Sequence, residues 1–154
     1  MRPSRVVAAA VLGALPLLVP SVAGAATRTK EGVHTRAVTY TKVDGSTPTC
    51  LVTGRHGWTA FDDGHDELFA GLTAHPSVPE HDVADCEGEV VIVVLATADG
   101  RELGRTSAFA SYRAELLLRD PGEQPYEVRY SFRPDRCESS SSAACTFHLE
   151  TRTK

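Results

Sequence analysis

The order of apolar and polar positions divides this chain into short extended segments with turns between them. The clearest segment is the apolar run at 90–96, Val-Val-Ile-Val-Val-Leu-Ala. Its first five residues are β-branched, so they lose side-chain freedom in a helix and pack well on a pleated sheet. The run is too short to cross a bilayer, which takes ~20 apolar residues, and it has the length of a strand covered on both faces. Asp99-Gly100 follows and predicts a type I′ turn into a return strand.

Downstream the alternation is cleaner. Tyr126, Val128, Tyr130 and Phe132 alternate with Glu127, Arg129, Ser131 and Arg133. A one-residue slip would turn this whole apolar set outward, so the pattern also predicts register. Residues 108–119 place Tyr112, Ala114, Leu116 and Leu118 on one face, with Arg113, Glu115 and Arg119 on the other. Residues 146–152 read as a last strand with Phe147 and Leu149 inward. Near the start, residues 33–43 and 49–53 flank the turn 44–48 and predict a hairpin whose second strand ends at Gly54. Seven or eight strands at a spacing of roughly 10 residues predict an all-β fold, an antiparallel β-sandwich or small barrel.

Residues 55–87 break the pattern. They hold four of the six histidines, eight acids, Pro76, Pro79 and Trp58, the only tryptophan. Asp66 could cap a helical turn carrying Leu68, Phe69 and Leu72, and a short strand fits the same residues as well. A long irregular excursion in a small domain is often functional, which directs attention to this segment.

The first 25 residues belong to targeting rather than to the fold. Arg2 and Arg5 precede an Ala/Leu/Val-rich core, and Ser-Val-Ala-Gly-Ala at 21–25 ends in small residues. This is the layout of a secretory signal peptide. Residues 26–32 are polar and predict a loose N-terminal arm that could add to a partner as an edge strand; residues 33–154 predict a single β-sandwich domain. Without Arg2 and Arg5 the chain keeps 14 basic and 20 acidic residues, a net charge of −6. An acidic chain without a basic stripe is a poor match for nucleic acid or an anionic membrane.

Four cysteines in an exported chain imply disulfides. Cys137 and Cys145 flank a Ser/Ala-rich hairpin loop and are expected to pair, which leaves Cys50 with Cys86.

Four constellations could carry chemistry. The acidic cluster Asp62, Asp63, Asp66 and Glu67 around Gly64 supplies oxygens of the kind Ca²⁺ takes, but its ligands do not alternate as in a calcium loop. The histidines His56, His65, His75 and His81 lack the i, i+4 helical pairing of a zinc site. No metal or cofactor is therefore expected. His148, Glu150 and Arg152 share one face of the last strand, the residue types of a ribonuclease, and the same trio also suits a cross-strand ion-pair surface. No Gly-x-Ser-x-Gly elbow is present. The loop between Cys137 and Cys145 is tethered as inhibitor loops are, without a large anchoring side chain of its own.

In composition and layout the chain resembles small proteins exported by high-GC bacteria, among them protease inhibitors and adaptor subunits of secreted toxin assemblies. The expected function is a secreted, non-enzymatic module that binds another secreted or cell-surface protein without membrane insertion. A secreted protease inhibitor, or a small hydrolase or ribonuclease, are the alternatives. The expected contact surface is 55–85, with Trp58, Phe61, His65 and Asp66 as its candidate residues.

Overall fold

Eight strands account for most of the chain in the computed structural model, which describes residues 26–122, 125–138 and 144–152. They are β1 (Ala26–Thr39), β2 (Thr49–Phe61), β3 (Asp66–Pro76), β4 (Gly88–Ala96), β5 (Glu102–Ser111), β6 (Arg113–Arg119), β7 (Tyr126–Pro134) and β8 (Phe147–Arg152). One 3₁₀ turn, Val83–Cys86, precedes β4. The predicted signal peptide and residues 139–143 of the disulfide loop lie outside the described residues.

The strands form two antiparallel sheets of four, in the orders β1-β2-β3-β6 and β5-β4-β7-β8. Period-2 alternation supplies the core. Val52 and Trp58 of β2 and Leu68, Ala70 and Leu72 of β3 face inward from the first sheet. Val90, Ile92 and Val94 of β4 and Val128, Tyr130 and Phe132 of β7 meet them from the second. The sandwich and its register along β7 match the expectation from sequence. Both disulfides also pair as expected, Cys50–Cys86 and Cys137–Cys145. Two disulfides in a small β-domain are consistent with an extracellular protein. Among the described residues, no helix is long and apolar enough to cross a membrane.

Several expectations are corrected. Residues 26–32 are the first half of β1, paired with β2 from Ala26↔Phe61 onward rather than loose. The long second strand explains this: β2 does not stop at Gly54 but runs to Phe61, so its edge extends past residue 33 and β1 follows it. The irregular excursion at 55–87 shrinks to 77–87, because the segment from Asp66 is β3, a strand with no helical turn. Sequence alternation was masked in β2 because two inward positions hold Gly54 and His56 instead of apolar residues. The β4 run is covered on one face only: Val90, Ile92, Val94 and Ala96 are buried, while Val91, Val93 and Leu95 are half-buried on the outside.

The β4–β5 connection, residues 97–101, is closed by Ala96 N donating to Arg101 O at 2.8 Å. Only Gly100 within it has positive φ, so the turn is not type I′. The segment 108–119 is two strands, not one. It breaks at Tyr112 as the chain passes from the second sheet to the first, with Ala110 at φ 47° on the approach.

Candidate functional site

The four candidate residues do not form one site. Trp58 points inward, is 3% exposed, and has the Lys30 ammonium 5.7 Å from its ring centre. Phe61 and His65 do come together across the β2–β3 turn, their rings stacked at 4.2 Å. Asp63 accepts from His65, which holds the Asp63 carboxyl below its ordinary range. Asp66 opens β3, where its backbone N–H donates to Asp120 Oδ1 at 3.2 Å. It is tied into the β3–β6 edge and caps no helix. Glu67 lies 3.8 Å from Arg119 and 4.0 Å from His65. Of these carboxylates, those of Asp63 and Glu67 have side-chain partners within the chain, whereas Asp66 is held through its backbone. Among the described residues, no three His, Cys, Asp or Glu side chains converge on a metal-sized space.

The histidines disperse in the same way. His65 sits in the turn, and His75 is beside Tyr112 at the opposite end, with ring centres 5.7 Å apart. His56 alone enters a cluster, and its companion is His34, which was outside the expected set. His56 Nδ1 lies 3.1 Å from Tyr126 Oη, and His56 Nε2 lies 3.0 Å from Thr151 Oγ1. Thr151 Oγ1 also lies 2.8 Å from His34 Nε2. Desolvation pushes the His56 pKa below its ordinary value, with repulsion from His34 adding to the effect. Burial pushes the Tyr126 phenol up to about 12. The chain of hydrogen bonds joins β1 and β2 of one sheet to β7 and β8 of the other. His56, Thr151 and Tyr126 are all buried, so these bonds tie the two sheets together from within.

Two of the trio on β8, Glu150 and Arg152, take part in ion pairs with β7. Arg152 donates from Nε to Glu127 Oε2 at 2.8 Å, and Arg129 Nε donates to Glu127 Oε1. Arg129 lies 3.9 Å from Glu150. These ion pairs lie on the outer face of the second sheet, Arg152–Glu127 and Arg129–Glu150 across β7 and β8 and Arg129–Glu127 along β7, and the Arg129 contact leads in holding the Glu127 carboxyl below its usual range.

The feature that sequence reasoning missed is the outer face of the first sheet. Register aligns Glu31, Gly57, Phe69 and Leu117 in one row across its four strands. The adjacent row is Val33, Arg55, Gly71 and Glu115. Val33, Phe69 and Leu117 are 61%, 38% and 54% exposed. With Arg55, Glu31 and Glu67 they surround a recess of about 300 Å³. Gly57 is among its lining residues and adds no side chain to it, and the Phe69 ring lies over Gly71. Neither the Arg55 guanidinium nor the Glu31 carboxylate has a hydrogen-bond or ionic partner among the described residues. A signal was present in the sequence: Leu68-Phe69 and Leu116-Leu117-Leu118 are consecutive apolar residues, which in a strand must occupy both faces.

No family model, curated protein or solved structure matches this chain. The reading of its function rests on the geometry above.

Proposed function

We propose that the protein is a secreted, non-enzymatic binding module, of the adaptor type, whose partner is another secreted or cell-surface protein. One observation carries this reading: the recess on the outer face of the first sheet combines exposed apolar side chains with unpaired charges of both signs. A monomeric domain has no internal use for such a combination on a solvated face, whereas interfaces use apolar anchors ringed by polar groups. The hydrogen-bonded cluster around His56 supports a non-enzymatic reading because His56, Tyr126 and Thr151 are buried and bridge strands.

Affinity purification from culture medium, followed by light scattering of the eluted species, tests the reading. The expected result is a stoichiometric complex with the unaltered protein, lost in Val33→Asp and Leu117→Asp variants that melt at the original temperature. A protein recovered only as a lone monomer, or a complex that survives both substitutions, overturns it.

A further inference from the structure

Gly57 is the strand glycine at which an added Cβ would meet only ordinary contacts. Each of the other five, Gly32, Gly54, Gly71, Gly88 and Gly104, has a neighbour that a Cβ would strike: the His56 ring, the Tyr130 ring, Phe69, the Arg133 carbonyl and Leu118. At Gly57 a Cβ would meet nothing closer than Glu31 Cγ at 3.5 Å and the Lys30 carbonyl at 3.6 Å, both ordinary contacts. Its φ is not in the left-handed region. A glycine in a strand interior weakens the strand, and where internal packing gives no reason for it, it marks a place where another backbone or a ligand approaches closely.

Gly57 and Arg55 are two residues apart on β2, so both look outward from the same face at a spacing of about 6.6 Å. Alternate residues of an extended partner chain have the same spacing. Resting on the reading that this face binds protein, we propose that Gly57 and Arg55 receive an extended segment carrying a large apolar side chain and, two positions along, a carboxylate. The apolar group lies flat on the Gly57 peptide against the Phe69 ring. The carboxylate takes the Arg55 guanidinium in a two-bond fork. The order is set by the neighbours: Glu31 stands opposite Gly57 and repels an acid there, while Val33 stands opposite Arg55.

Amide resonances of the isotope-labelled protein, titrated with three blocked pentapeptides, test this. The peptides are Thr-Phe-Thr-Asp-Thr, Thr-Phe-Thr-Lys-Thr and Thr-Ala-Thr-Asp-Thr. The first is expected to move the resonances of residues 55 and 57, and the other two to bind at least tenfold more weakly. Arg55→Glu should transfer the preference to the lysine peptide. Gly57→Val should abolish binding without lowering the melting temperature, and Gly57→Ala should weaken it should the valine variant fail to fold. No movement at millimolar peptide, equal affinity for all three, or undiminished binding by Gly57→Val or Gly57→Ala overturns the proposal. So does phenylacetate reproducing the full shift, which would make the recess a receptor for small aromatic acids. The two readings fail separately. A native partner captured equally by the unaltered protein and by Gly57→Val overturns this receptor and leaves protein binding standing. Peptide binding without any native partner overturns the function and leaves the receptor.

Discussion

Gly54 and Gly57 lie three residues apart on β2 and point to opposite faces, so the same substitution should have opposite effects at the two sites. At Gly54 an added methyl would lie 2.8 Å from Tyr130 Cε2 and 3.0 Å from Leu149 Cδ2. The Tyr130 ring cannot swing away, because it is 1% exposed and its hydroxyl donates to the Arg55 carbonyl at 2.8 Å. Overpacking of this kind costs about 1–3 kcal/mol. At Gly57 the methyl finds ordinary contact distances, and the unfolded chain loses freedom that glycine allows, a gain of about 0.4–1 kcal/mol. The two alanine variants should therefore differ by roughly 1.4–4 kcal/mol. At about 4 °C per kcal/mol for a domain of this size, their melting temperatures should separate by roughly 6–16 °C, with Gly57→Ala above the unaltered protein. Circular dichroism melts and urea titrations of the three proteins measure this directly. A Gly57→Ala variant as unstable as Gly54→Ala would refute the reasoning, because Gly57 would then be required internally and its bare surface would no longer point to a partner.

The disulfides should differ in weight: loops of 36 and 8 residues give about 3.8 and 2.5 kcal/mol on the chain-entropy model. Denaturant midpoints of the paired Cys→Ala variants should show the larger loss for Cys50 and Cys86, which are also fully buried. Stability should fall on acidification below about pH 6.5, the ordinary histidine value. The lowered folded pKa of His56 means the unfolded chain binds the extra proton first, so His56 contributes fully above that pH and less as pH drops toward its folded value. Unfolding free energies at pH 7.5 and 5.5 measure the slope, and His56→Gln should flatten it; an unchanged slope would show that the titration lies elsewhere. Leu72→Ala, at a fully buried position, should cost about 2–5 kcal/mol, whereas Leu117→Ala should stay within about 0.5 kcal/mol by urea unfolding.

Legibility from sequence followed the physics of each element. The β7 faces were readable because every inward position holds a large apolar residue and most outward ones are polar. The β2 faces were not, since Gly54 and His56 take inward positions whose reasons, the Tyr130 ring and the Thr151 hydroxyl, arrive from the other sheet. The recess was missed for a related reason. Gly57 and Arg55 lie on β2, Phe69 on β3 and Leu117 on β6, and register alone makes them neighbours. Trp58 drew attention as a candidate anchor by its rarity, and the even parity it shares with Cys50 and Val52 is what carries it into the core.

By itself, then, the sequence determined the properties that arise from local periodicity and composition: an all-β chain, the inward set of β7, and the two cysteine pairs. Tertiary structure alone decided how the strands divide into sheets, where 108–119 breaks to cross between them, and how far β1 and β2 extend. Local alternation specifies which side chains share a face of a strand. It carries no information about which strand lies beside it, because that choice depends on packing between residues far apart in the chain. The candidate site belongs to the second class: its residues share one surface only because four strands are held in one register.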